Sequence, residues 1–196
     1  MVQVLKEELR HAILRAAQDE FLQKGYLSAS VKQIAAMVGI SVGNLYRYYS
    51  GKDALFDAVV APVYNELESM LRDHGVPQAD TDTGHIVELV VKRLTEIAGE
   101  YRKPLLILID GSKGTRYEEA VRQFYKMMAD DVTKHMEEYN DRQGQEVFTK
   151  HASWPVSVAF LQGYFEIIRR HIDAEDFHHI LRQYISFWYQ GLRAFI

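Results

Sequence analysis

The sequence predicts an all-α chain of about nine helices, a small three-helix N-terminal part followed by a larger helical body. Two observations carry this. Apolar residues recur at spacings of three and four along nearly the whole length, and no alternation of period two lasts long enough to mark a sheet. The composition supplies a core: 47% of the 196 residues are hydrophobic, 26% are charged and only 4 are proline, so the chain buries apolar surface rather than staying disordered. At this length a compact body with a small appendage is the natural arrangement, and the parts are expected to be residues 1–50 and 51–196.

The first helix is expected over residues 6–24, where Leu9, Ile13, Ala16, Ala17 and Phe21 share one face and Gly25 provides a stop. A second follows Ser30, whose hydroxyl can accept from the Gln33 amide while the Gln33 side chain reaches back, a capping box; it ends near Gly39. The third covers 42–49, after Ser41. The fourth runs from about 51 to 72 with Pro62 inside it, so a kink is expected over 58–62, because proline lacks an amide proton and crowds the carbonyl four residues back. Residues 74–84 are polar and turn-rich, hence a loop.

Ile86, Leu89, Val90, Leu94, Ile97, Ala98 and Tyr101 mark a fifth helix, and Pro104 suits the first turn of a short sixth. The string DGSKGT at 110–115 breaks the pattern. It lacks the spacing and the preceding strand of a phosphate cradle, so it reads as a connecting turn. Tyr117, Val121, Phe124, Met128, Val132, His135 and Tyr139 mark a seventh helix, which ends at a loop, NDRQGQE. The last two helices, about 154–171 and 174–195, are apolar nearly all round, which predicts one face on the body and another on a second copy of the chain. Ala159 and Gly163, small residues four apart, would let helices approach closely there.

No run of about 18 apolar residues occurs, and the N-terminus carries charges at helical spacing, so neither membrane spanning nor secretion is expected. The lack of cysteine removes disulfides, thiolate zinc sites and thiol catalysis, and it suits a cytoplasmic location. His178 and His179 are adjacent and so leave a helix in different directions, and His171 has no matching carboxylate pattern nearby; no metal is expected. No spacing ties any two of Asp110, Asp130, Asp131 and Glu166 to an acid–base role, so neither enzyme activity nor a cofactor is expected.

The net charge of −4 conceals an uneven distribution. From Lys24 to Lys52 the chain holds Lys24, Lys32, Arg47 and Lys52 and no acid. A locally positive segment on an acidic body is the footprint of a small phosphate-contacting reader. In the same stretch, residues 25–56 (GYLSASVKQIAAMVGISVGNLYRYYSGKDALF) read as helix, short turn through Gly39, helix, with Ile34, Ala35, Val38, Ile40 and Leu45 joining the two. That spacing fits a helix-turn-helix, whose first helix braces the second so that its N-terminal end enters the major groove.

The string I-A-x-x-V-G-I-S-x-G-x-L-Y-x-Y-Y-x-x-K-x-x-L-F resembles the N-terminal signature of TetR-family repressors, with no gap across this segment. The resemblance implies a homodimer that binds double-stranded operator DNA, with a C-terminal ligand-binding and dimerisation domain from which a small-molecule effector controls release. Carried over position by position, it implies that Val42, Gly43 and Asn44 face the groove and that Tyr46, Tyr48 and Lys52 contact phosphates, with Ser30, Lys32 and Arg47 beside them. The side chains have their own reasons: Gly43 permits close backbone approach, Asn44 can pair bidentately with adenine, and a tyrosine hydroxyl or lysine ammonium can bond a phosphate oxygen. The chain departs from the family pattern at Ala29, where many relatives have threonine, leaving Ser30 as the hydroxyl that caps and touches the backbone. It departs again at Tyr48 and Tyr49, which replace a common His-Phe pair; Tyr49 is expected to pack inward.

Aromatic residues of the body are core by default, yet a subset lining a cavity is how such a body would hold an apolar or aromatic ligand. The candidates are Tyr101, Asp110, Tyr117, Phe124, Tyr125, Trp154, Tyr164 and Phe165. Two other functions stay open from sequence: a DNA-binding activator or architectural factor without a ligand, and a helical enzyme or carrier.

Overall fold

The computed structural model describes the backbone of residues 2–72, 83–170 and 174–193 and the side chains of 6–72, 87–170 and 175–191. The elements are α1 (Val2–Ser28), α2 (Val31–Val38), α3 (Val42–Leu45), α4 (Lys52–Arg72), α5 (Thr83–Asp110), α6 (Ala120–Gln143), α7 (Ser153–Arg169) and α8 (Ala174–Arg193), with a single 3₁₀ turn, Lys150–Ala152, before α7. Among the described residues there is no strand, so the chain is all-helical as the periodicity predicts. The expected loop at 74–84, save the backbone of its last two residues, and His171 lie outside the described residues.

The chain packs as two compact units, Met1–Glu66 with Tyr101–Ala120 and Leu67–Glu100 with Val121–Ile196. This is a boundary of packing, distinct from the functional one expected at residue 50. The first unit borrows the second half of α5 because the backbone of residue 111 is bonded to α1. At Gly25 the chain turns with φ of 66°, a left-handed conformation that glycine adopts without a β-carbon clash, and the following Tyr26 amide donates to the Gly111 carbonyl at 2.8 Å. A β-carbon on Gly111 would lie 3.0 Å from the Ile107 carbonyl oxygen and 3.4 Å from the Gly25 Cα, so two glycines let backbone meet backbone. Ile13, Ala17, Phe21, Ile34, Leu45, Leu55 and Phe56 form the buried core of this unit, with Phe21 edge-on to Phe56 at 4.9 Å between ring centres.

The expected short sixth helix is the C-terminal segment of α5. Tyr101 has non-helical angles (φ −119°, ψ 23°), and the break falls three residues before Pro104, whose missing amide needs no partner in the first turn of the new segment. α4 by contrast passes through Pro62 as one continuous helix. α6 starts three residues later than the expected onset at Tyr117 and runs on through Gln143, into the expected NDRQGQE loop. The turn comes at Gly144, with φ of 65°, and Asn140 secures it by donating to the Phe148 carbonyl (2.7 Å) and accepting from the Val147 and Phe148 amides (2.9 and 3.0 Å).

In the second unit Leu94, Phe124, Leu161, Tyr164, Phe165, Ile168 and Leu181 are buried, and the Tyr164 hydroxyl meets its hydrogen-bonding need on the Leu94 carbonyl at 3.0 Å. The last helix is not apolar all round. Phe177, Leu181 and Ile185 are buried, whereas Glu175, Asp176, His178, His179, Arg182, Gln183 and Gln190 are exposed, so α8 is two-sided, with Phe187 (74% exposed) as its outlying apolar residue. Gly163 seats Tyr184 of the same chain: a β-carbon there would lie 2.3 Å from the Tyr184 hydroxyl, which donates to the Phe160 carbonyl at 2.6 Å. Among the described residues no helix is long and apolar enough to cross a membrane.

Candidate functional site

The helix-turn-helix is built from two capped helices on a buried base. Ser30 caps α2 by accepting from the Gln33 amide at 3.3 Å, and Gly39 closes it in the left-handed region, with its amide on the Ala36 carbonyl at 3.1 Å. Ser41 caps α3 by accepting from the Asn44 amide at 3.1 Å. Ile34, Ala35 and Leu45 are buried beneath; Val38 and Ile40 are half-buried. α3 is one turn long, and residues 46–48 continue it as a tighter turn, with the Arg47 and Tyr48 amides bonded three residues back.

The second half of the expected capping box is occupied differently. The Ser30 amide donates to the Glu20 carboxylate at 3.0 Å, and Glu20, only 3% exposed, also receives Lys24 Nζ at 3.1 Å. A carboxylate from α1 thus takes the place of the Gln33 side chain, because it is already buried beside the start of α2. Sequence reasoning passed over Glu20, yet a signal was there: an acid at 20 interrupts the stripe of Ile13, Ala16, Ala17 and Phe21 at a position whose spacing is that of the core face.

The structure leaves most of the expected DNA residues open to a partner. Ser30, Lys32, Gly43, Tyr46 (48% exposed) and Arg47 are exposed; Val42, Asn44, Tyr48 and Lys52 are half-buried; and a β-carbon at Gly43 would meet open space. Tyr49 is buried at 5% exposure, as expected of its inward packing. Lys52 is partly engaged already: its ammonium donates to the Leu27 carbonyl at 3.2 Å and lies 4.6 Å from the centre of the Tyr26 ring. Burial lowers its pKa from the usual lysine value, against the pull of Asp53 and Glu20. Beside it the Tyr26 hydroxyl donates to Asp53, and that bond, with burial, raises the tyrosine pKa.

The eight expected ligand residues are shared between the two units. Tyr101, Asp110 and Tyr117 belong to the first unit, and Phe124, Tyr125, Trp154, Tyr164 and Phe165 to the second. Phe124, Tyr164 and Phe165 are core. Tyr125 and Trp154 do meet, edge to face at 6.2 Å, with the Gln162 amide donating to the Tyr125 hydroxyl. Tyr117 lines a cleft of about 360 Å³ with Asp53, Phe56, Asp57 and Arg116. Its hydroxyl donates to Asp57 at 2.6 Å and accepts from Arg116 at 2.6 Å, and burial, then the bond to Asp57, pushes its pKa up to about 12. A second cleft, of about 480 Å³, lies against residues 46–50. A third, of about 440 Å³, includes Glu137, Asn140, Phe148 and His151 and none of the expected residues.

Residues 13–59 match the model for bacterial regulatory proteins of the tetR family, and this interval contains α2, α3 and their caps. Over this segment the chain is similar to DNA-binding transcriptional regulators of the tetR family. Along its whole length it is 25% identical to the HTH-type transcriptional regulator UidR of Escherichia coli K12, covering 94% of that protein. In fold the chain resembles SCO3833, a TetR-family member from Streptomyces coelicolor A3, with a TM-score of 0.67 at 16% identity over 91% of this chain and 90% of that one. It also resembles NalD, the secondary repressor of the MexAB-OprM multidrug efflux pump in Pseudomonas aeruginosa, with a TM-score of 0.55 at 23% identity over 92% and 95%. α2 and α3 lie inside the matched interval, and their geometry suits a DNA-binding helix-turn-helix.

Proposed function

We propose that the chain is a repressor released from its operator by a small apolar or aromatic effector. Residues 1–50 would read DNA, and residues 51–196 would bind the effector and form a homodimer. The observation that carries the reading is the start of α3, with exposed Gly43 between half-buried Val42 and Asn44, seated on a buried base; these three would read base edges, while Ser30, Lys32, Tyr46, Arg47, Tyr48 and Lys52 would hold the phosphates. That NalD is a repressor supports the sign of regulation. The pair of Tyr125 and half-exposed Trp154 (43%), with the Gln162 bond, is the aromatic group best suited to an effector.

Exposed Trp154, Ala159 and Phe187 on α7 and α8 support dimerisation through these helices. A regulator of this kind works in the cytoplasm, where its DNA is. An electrophoretic shift with the promoter beside its own gene tests DNA binding, and release on adding aromatic or apolar candidates tests the effector. A shift that no candidate reverses favours regulation without a ligand. Sedimentation at micromolar concentration tests the dimer, and a stable monomer would rule it out.

A further inference from the structure

Three residues expected at the DNA, Tyr46, Arg47 and Tyr48, line the cleft of about 480 Å³, and Arg10 of α1 lines it too. Nothing in the helix-turn-helix pattern connects Arg10 to DNA. Arg10 is exposed, and its guanidinium lies 5.7 Å from the centre of the Tyr49 ring. Tyr49 is buried and its hydroxyl has no hydrogen-bond partner among the described residues, so packing alone fixes this ring, which gives Arg10 a rigid planar seat. A cation over a ring keeps its N–H donors for another acceptor, and a guanidinium fork matches two phosphate oxygens. The carboxylate in the cleft, Asp57, is already answered by Arg116 and by the Tyr117 hydroxyl. The cleft therefore combines two guanidinium groups with tyrosines and little uncompensated negative charge.

We propose that this cleft receives a phosphate of the DNA backbone and that Arg10 anchors it, a contact from the first helix beside those of α3. The inference rests on DNA reading by the helix-turn-helix and adds to it a residue outside that motif. The test measures affinity for mixed-sequence duplex DNA against salt concentration for the full chain, Arg10→Gln, Arg10→Lys and Arg15→Gln. Arg15 is also exposed but does not line the cleft, so it controls for the loss of one positive charge. Removing one phosphate-binding cation should make the slope of log affinity against log salt shallower by about 0.9. Arg10→Gln should show that change once per protomer, together with a fall in affinity of about tenfold. Arg10→Lys should keep the slope, and Arg15→Gln should match the unmodified chain.

Equal slopes for Arg10→Gln and Arg15→Gln would overturn the proposal while leaving DNA reading by α3 intact. Failure of the unmodified chain to bind any duplex in a salt-dependent way would overturn both. The midpoint of thermal unfolding separates the remaining possibility: if Arg10→Gln loses affinity only as far as it unfolds, with its slope unchanged, Arg10 merely supports Tyr49 and the proposal fails.

Discussion

At the residue scale, the start of α2 is held from two sides: the Ser30 hydroxyl accepts from the Gln33 amide, and the Ser30 amide donates to Glu20, ten residues away across the Gly25 turn. The role of Glu20 can be tested by comparing two variants. Glu20→Gln keeps an acceptor for the Ser30 amide and should bind DNA nearly as the unmodified chain does. Glu20→Leu leaves that amide unmet at a cost of about 1 kcal/mol, roughly a fivefold to tenfold loss read as DNA affinity or as stability. Equal effects of the two in a filter-binding and urea-unfolding comparison would mean that the carboxylate is not what sets the start of α2. Tyr117 makes a different prediction. Its folded pKa, about 12, stands above the ordinary 10.0, so the native state holds this proton more tightly than the unfolded chain. The resulting stability is fully present below pH 10 and is lost as pH rises through about 12. Tyr117→Phe should therefore cost about 1 kcal/mol at neutral pH by stranding part of the Asp57 bonding, and should flatten the alkaline loss. The flattening is partial, because Tyr184 is also pushed up to about 12 by burial. An unchanged alkaline limb in Tyr117→Phe would assign that loss to other groups.

At the scale of elements, helix existence was legible wherever the 3.6-residue period ran long. The ends were legible where a cap or a positive-φ glycine marked them, as at Ser30, Gly39, Ser41 and Gly25. What the period could not convey was continuity. Pro104 in the first turn of a new segment agrees with the break at Tyr101, whereas α4 stays continuous through Pro62, where a kink is expected from sequence. Nor could the apolar content of the last helices reveal which residues face one another within the chain. Gly163 looked like a surface for a second copy, yet it makes room for Tyr184. Gly163→Ala should push Tyr184 from its place on the Phe160 carbonyl and destabilise the chain by about 1–3 kcal/mol, the usual cost of overpacking. Adding Tyr184→Leu should recover part of that loss in a double-mutant cycle. The loss should be independent of protein concentration, since the contact lies within one chain. A loss that grows on dilution would instead place Gly163 between subunits.

At the scale of the whole molecule, the proposed repressor requires that occupancy of the body alter the affinity of the reader. Legibility stops there, since the reader was visible as a motif but the effector site only as a set of aromatics, and these are divided between two compact units. α4 begins with Lys52 at the reader and belongs to the first unit up to Glu66 and to the second from Leu67, and it crosses that boundary without a non-helical residue. α5 crosses the boundary of the units at Tyr101, where its backbone leaves the helical region. The unbroken α4 is therefore the helix along which the proposed coupling is to be tested. Pro62 lies within the part of α4 that would have to bend. If the effector favours a dimer whose two recognition helices do not match the separation of about 34–36 Å between successive major-groove sites, then DNA must weaken effector binding by the same factor as effector weakens DNA binding. Such couplings are typically about 5- to 150-fold. The experiment measures effector affinity by calorimetry with and without saturating operator, in the unmodified chain and in Pro62→Ala. Restoring an amide and removing the ring should stiffen α4 and change the coupling by at least about threefold, with the intrinsic effector affinity of the DNA-free dimer nearly unchanged. Equal effector affinity with and without operator would eliminate coupling altogether. Coupling that Pro62→Ala leaves untouched would remove Pro62 from the path and leave the Tyr101 break as the element to vary next.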